Sequence, residues 1–165
     1  MRRLLVVHQS PSRSMQALTE AVVAGAHDPL IEDVEVVVRP ALEATADDVL
    51  AADGYVLGTT ANFGYMSGAL KHFFDTTFLQ VGGQLDERGG AGDQPGGTTA
   101  KRPFGLYVHG RYDTTGAVRS VLSITGALGW KQSAEVLAIL GDLDDGATAA
   151  AYELGATIAA HLMTS

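Results

Sequence analysis

From end to end the chain alternates between short runs that are apolar on both sides and stretches whose apolar residues recur at helical spacing. That alternation restricts it to very few architectures. Leu4-Leu5-Val6-Val7 comes first, followed by residues 34–38, Tyr55-Val56-Leu57, residues 104–108 and residues 134–140. Runs rich in β-branched and aromatic residues suit parallel strands covered on both faces. Between them, Met15, Leu18 and Val22 share one helix face, and Leu70, Phe73, Phe74 and Thr77 share another. Val118, Val121, Leu122 and Leu128 mark a helix stopped by Gly129, and Ala147, Ala151, Leu154, Ile158 and Leu162 mark a C-terminal one. Thr45, with Asp48 three residues on, has the pattern of a capping box opening a short helix to Ala52.

Strict alternation implies right-handed crossovers and an open sheet. The expected fold is an α/β three-layer sandwich. It has a five-stranded parallel sheet in order 2-1-3-4-5, helices on both faces and one domain over residues 1–165. Ligands of such sheets lie beyond the carboxyl ends of the strands, at the switch between strands one and three. The loops after His8, Gly58 and Val108 are therefore the ones to read.

Composition narrows the function. An apolar share of 46% supports a sizeable core. The lack of cysteine excludes disulfides, thiolate nucleophiles and cysteine-held metal sites. A net charge of −8, from 19 acids against 11 bases, speaks against nucleic acid as a partner. No apolar run approaches the length of a membrane span, so no membrane insertion is expected. The Met1-Arg2-Arg3 start leads into too short an apolar run for a secretory signal, which makes the cytoplasm the expected location. Residues 80–102 break the rhythm: they are rich in glycine (Gly82, Gly83, Gly89, Gly90, Gly92, Gly96, Gly97) and lack an apolar face. They read either as a flexible surface insertion or as a flap over the site.

In the first loop, Ser10, Ser12 and Ser14 stand with Arg13 immediately before Met15 and the first helical face. One hydroxyl would serve as a simple helix cap. Three with a guanidinium form an anion site at a helix N-terminus, suited to phosphate. Neither a P-loop nor a dinucleotide glycine fingerprint is present.

The second loop reads Gly58-Thr59-Thr60-Ala61-Asn62-Phe63-Gly64-Tyr65-Met66-Ser67-Gly68-Ala69-Leu70-Lys71. It resembles the third-strand loop and helix of the flavodoxin-like NAD(P)H-dependent FMN reductases and quinone reductases. The Phe63-Gly64-Tyr65-Met66-Ser67-Gly68 run is similar to the F-G-N-M-S-G of tryptophan-repressor-binding-protein-type quinone reductases. The resemblance implies a flavodoxin-like fold and bound FMN. It places Ser10, Ser12, Arg13, Ser14 and Met15 at the phosphate, and Thr60, Ala61, Asn62, Phe63 and Gly64 around the isoalloxazine and ribityl chain. In the third loop it implies a second flank made by His109, Gly110, Tyr112, Asp113 and Gly116. There His109 would donate to the O2/N1 edge of the flavin or stand as a strand-end histidine facing solvent, Tyr112 would stack on the ring or be an exposed turn residue, and Arg111 would meet a nicotinamide-nucleotide phosphate or be a solvated surface arginine. Thr60 departs from the family pattern, where many relatives carry proline. Arg13 and Met15 depart from the phosphate loop of electron-carrier flavodoxins.

The implied function is an FMN-dependent oxidoreductase passing electrons from NAD(P)H to a quinone, flavin or similar small acceptor, with the flavin doing the chemistry. The alternatives are a flavodoxin-type carrier between proteins and a flavin-free binding domain of the same fold. Phe73, Phe74 and Phe78 cannot all share one buried stripe, which with the family habit points to a homo-oligomer. His72 with Asp75 reads as a surface pair, and no metal or hydrolase motif is present.

Overall fold

The computed structural model describes residues 1–92 and 97–165. Its elements run β1 (Arg2–His8), α1 (Arg13–Ala26), β2 (Val34–Pro40), α2 (Ala46–Ala51), β3 (Gly54–Asn62), β4 (Tyr65–Met66), α3 (Gly68–Thr77), β5 (Pro103–Gly110), α4 (Thr115–Ala127), β6 (Lys131–Gln132), β7 (Leu137–Leu140) and α5 (Asp145–Met163). The sheet order is β2-β1-β3-β5-β6, with β7 also paired to β5 and β4 paired antiparallel to β3.

Alternation along the central strands divides the core into two layers. Leu5, Val7, Tyr55, Leu57, Phe104 and Leu106 pack with α2, α3 and α4. Leu4, Val6, Val56 and Tyr107 pack with α1 and α5. Every helical face expected from spacing is turned inward, with Met15, Leu18 and Val22 fully buried. The capping box forms as anticipated: the Thr45 hydroxyl accepts from the Asp48 N–H, and the Asp48 carboxylate accepts from the Thr45 N–H at 2.9 Å. Trp130 stacks on Tyr55 with ring centroids 3.9 Å apart.

Three expectations change. The fifth sheet position is not one strand over 134–140 but two short pieces. Between the Phe104–Gln132 and Tyr107–Leu137 pairs, the edge strand advances five residues while β5 advances three. The two surplus residues bulge out, as edge strands tolerate. Second, Phe73 and Phe74 are both 1% exposed, with centroids 5.2 Å apart, and Phe78 is half-buried beneath Gly83. The aromatic surplus expected to drive self-association is thus consumed inside the chain. Third, the glycine-rich segment has anchored roots. The Trp130 indole N–H donates to the Thr99 hydroxyl at 3.0 Å, which in turn donates to the Val81 carbonyl at 3.1 Å. Gly96 lies among residues 93–96, outside the described residues.

Helices α1 and α5 meet through glycine. A methyl group on Gly155 would sit 1.9 Å from the Val22 carbonyl oxygen, and one on Gly25 would sit 1.9 Å from that of Tyr152. Backbone cannot yield as a flexible side-chain tip can, so overpacking here separates the helices. Gly155→Ala is expected to destabilise the fold by about 2 kcal/mol or more. A lowered urea midpoint relative to an Ala substitution at the exposed Glu153 is the check.

Candidate functional site

The parallel register places three strand ends side by side: His8 opposite Gly58, and Thr60 opposite His109. The loops that leave them enclose a cavity of about 630 Å³ lined by Ser12, Ser14, residues 60–64 and residues 109–113. All three loops singled out from sequence therefore converge on one place.

The second loop is not a loop in the usual sense. β3 runs on to Asn62, turns through Phe63 and Gly64, and returns as β4 with Asn62 opposite Tyr65. Both turn residues have positive φ, +50° at Phe63 and +75° at Gly64, which is the two-residue hairpin geometry. Glycine takes it freely; a phenylalanine does so under strain. Phe63 is nevertheless fully exposed where it lines the cavity, as is Tyr112 from the third loop (109% and 97%). The Thr59 hydroxyl holds the hairpin to α3 by accepting from the Ser67 N–H at 2.9 Å, while Ser67 caps α3 through the Leu70 N–H. Gly116 lies outside the cavity; it lets the start of α4 meet the Gly64 carbonyl, where a Cβ would be only 1.8 Å away.

At the floor, Thr60 is 8% exposed and its Oγ1 has no hydrogen-bond partner. A buried hydroxyl without a partner costs about 1–3 kcal/mol, and this one belongs to a residue that lines the cavity. His109 is also in the wall, but its Nε2 lies 2.6 Å from the Gly141 carbonyl. That nitrogen must carry the proton and donates it there, so the expected donation to a flavin edge from Nε2 is already committed.

The first loop divides its hydroxyls. Ser12 caps α1, accepting from the Met15 N–H at 3.2 Å, and still faces the cavity with Ser14. Ser10 does not: it lies 2.8 Å from His8 Nδ1 and 2.8 Å from Thr19 Oγ1, which lies 2.7 Å from the buried Tyr107 hydroxyl. Met15 is wholly buried in the core. Arg13 is exposed and forms no ion pair among the described residues. Ser10 and Met15 thus brace the loop rather than line it. Gly58 makes the bracing possible, since a Cβ there would overlap the Tyr107 ring.

In the third loop, Asp113 accepts from the Thr115 N–H at 2.9 Å, which holds its carboxyl below the usual carboxylate range. Arg111 donates to Asp142 at 2.8 Å and lowers that carboxyl likewise. Of the two readings of Arg111, a nucleotide-phosphate contact or a surface arginine, the structure shows an exposed side chain that lines the cavity and ties the loop to the β7–α5 turn. No described residue of 80–102 lines the cavity, so the flap reading has no counterpart there. Among the described residues, no group of three His, Asp or Glu could hold a metal ion, and no helix is long and apolar enough to cross a membrane.

Two exposed aromatic residues, an unpartnered hydroxyl and the hydroxyls at a helix N-terminus, all lining one cavity, suit a flat heteroaromatic ligand carrying a phosphate. No family model matches the chain. A flavodoxin of Aquifex aeolicus (strain VF5) is 34% identical over 86 residues, 52% of this chain and 45% of that protein; the match thus spans less than half of the relative. Among solved structures, a flavodoxin from the domain Archaea has a TM-score of 0.77 at 18% identity, covering 97% of this chain and 98% of its own. Oxidised Flavodoxin 1 from Bacillus cereus has 0.75 at 15%, covering 97% and 99%. A WrbA-like flavodoxin from Agrobacterium tumefaciens has 0.69 at 16%, covering 99% and 98%. The chain has the flavodoxin-like fold.

Burial pushes the half-buried His8 below the usual histidine value of 6.5. Its Nδ1 shares a hydrogen bond with the Ser10 hydroxyl, in a chain that continues through Thr19 to the buried Tyr107, and burial favours the neutral ring. The unfolded chain therefore binds the extra proton first, and stability falls as pH drops below about 6.5. His8→Gln should lose that component. The stability difference between wild type and variant is expected to shrink from pH 7.5 to pH 5.5 in paired urea titrations.

Proposed function

We propose that this chain binds FMN in the cavity between the three loops and acts in electron transfer. One observation carries the reading: two fully exposed aromatic residues, Phe63 and Tyr112, line the same cavity as Thr60, whose buried hydroxyl has no partner. Exposed aromatic rings of this kind are surfaces for stacking. The first of them is held there at the cost of an unfavourable backbone conformation. FMN supplies, when bound, the electron chemistry that no side chain of this protein performs.

In this reading Ser12, Ser14 and the N-terminus of α1 receive the phosphate, with Arg13 adding charge at the mouth. Thr60 and the backbone of residues 61–64 address the ring system and its ribityl chain. Ser10, His8 and Thr19 hold the phosphate loop from behind. The ring lies between the hairpin and the third loop, where Arg111 and Asp142 cancel as a pair and Asp113 leaves one negative charge in the lining.

Of the two directions for electron flow, the protein-to-protein carrier has the stronger support. The relative from Aquifex aeolicus is named a flavodoxin, the net charge is −8, and acidic surfaces steer towards basic partners. Arg111, the cation suited to a nicotinamide nucleotide, is bound to Asp142. The reductase reading, with NAD(P)H as donor and a quinone or flavin as acceptor, rests on the Phe63-Gly64-Tyr65-Met66-Ser67-Gly68 run and the WrbA-like structural neighbour. Anaerobic mixing of the FMN-loaded protein with NADPH and NADH separates them. A carrier stays yellow with both, whereas a reductase bleaches at a saturable rate.

Thr60→Val gives a sharper test of the site itself. It keeps the side-chain shape, removes the unpartnered hydroxyl, and is expected to leave the flavin-free protein as stable or slightly more so. FMN affinity should fall about three- to tenfold, the equivalent of one lost hydrogen bond of about 0.5–1.5 kcal/mol. An unchanged dissociation constant would remove Thr60 from the ligand contacts.

A further inference from the structure

Beside the cofactor cavity lies a second, elongated groove. Its inner part, about 440 Å³, begins at Gly64, which it shares with the cofactor cavity, and is lined by Tyr65, Lys71, Arg119, Ser120 and Ser123. Its outer part, about 460 Å³, shares Lys71, Ser123 and Ile124 with the inner one and is walled by Phe74, Phe78, Leu79 and Leu85. The groove therefore runs between α3 and α4 and is closed on its far side by the turn at residues 84–91 of the glycine-rich segment.

The two parts differ in chemistry. The inner part carries donors. Arg119 is exposed and forms no ion pair among the described residues, Ser123 is exposed, and Tyr65 is 43% exposed. Lys71 is paired with Asp75 at 2.7 Å, so that pair cancels and Arg119 sets the local sign. The outer part is mainly apolar, with the Lys71–Asp75 pair and Ser123 in its lining, and it includes two large side chains left open to water, Leu79 at 65% and Leu85 at 54%. On a chain of net charge −8, a cationic end joined to an apolar trough selects for a ligand of the complementary shape.

We propose that this groove is a binding site for a small amphipathic anion, its aromatic or aliphatic body in the apolar trough and its acidic headgroup at Arg119. Arg119 supplies the charge, Tyr65 and Ser123 supply neutral donors, and Leu79, Leu85 and Ile124 cover the body. The site does not depend on flavin being bound. Because it opens at Gly64, it leaves the headgroup next to the candidate cofactor cavity.

The test uses the full chain and two probes with the same ring, naphthalene-2-sulfonate and neutral 2-naphthol, titrated by ¹H–¹⁵N NMR. The sulfonate is expected to bind about three- to tenfold more tightly, as for a partly exposed charge-assisted contact. Shifts should centre on the amides of Lys71, Leu85, Arg119 and Ile124. Arg119→Gln should bring the two probes within about twofold of each other while leaving 2-naphthol binding unchanged. Leu79→Asp, at an exposed position that does not threaten the fold, should weaken both. The proposal is overturned if neither probe saturates the groove by about 1 mM. It is equally overturned if the shifts fall elsewhere, or if the preference for the anion survives in Arg119→Gln. None of these outcomes bears on FMN, which is titrated separately.

Discussion

The backbone pairing of β1, β3 and β5 is the constraint from which the rest of the molecule follows. These strands are covered on both faces, with four consecutive buried residues in β1, seven in β3 and all eight of β5. Buried backbone polar groups must find partners, and in a parallel sheet the only ones in reach are the neighbouring strands. The register is thereby locked, and with it the level at which each strand ends. His8, Gly58, Thr60 and His109 come to one rim because of that register, and the three loops have no choice but to face each other.

What the rim then carries is costly by the standards of the core. Phe63 holds a positive φ, Thr60 has a buried hydroxyl without a partner, and two aromatic rings stand in water. The surroundings hold these features in place. Thr59 and Ser67 clamp the hairpin to α3, and Gly116 admits the Gly64 carbonyl to the start of α4. Behind the first loop, the hydroxyl chain from His8 through Ser10 and Thr19 to Tyr107 fixes the entry to α1. Local cost maintained by an over-determined frame is the usual physical signature of a binding site.

The periodic parts of the fold were legible in the chain alone. Helix faces such as Met15, Leu18 and Val22, the Thr45–Asp48 box and the loops that matter all follow from spacing and strand ends, which are local properties. The parts that were not legible depend on a distant partner. Ser10 looks the same as Ser12 in sequence, and only Thr19 and Tyr107 turn it inward. Phe73 and Phe74 are both buried, ring beside ring, in the one core layer that α3 shares with α2 and α4. The hairpin at Phe63 was hidden because a bulky residue in a positive-φ turn carries no propensity signal, although Gly64 beside it was the available hint. Gly25 and Gly155 gave no sign that two helices meet there, since close approach is a property of the pair.

The central claim is that a phosphate-bearing flavin occupies the cavity with its phosphate at the start of α1. Comparing FMN with riboflavin by quenching of flavin fluorescence tests it most directly, because the two differ only in that phosphate. The account predicts saturable one-to-one quenching by the protein. FMN should be held at least about tenfold more tightly than riboflavin, as charge-assisted hydrogen bonds of about 1.5–3 kcal/mol require. Equal affinity for the two would contradict the phosphate assignment. Failure of both to bind would contradict the flavin reading as a whole.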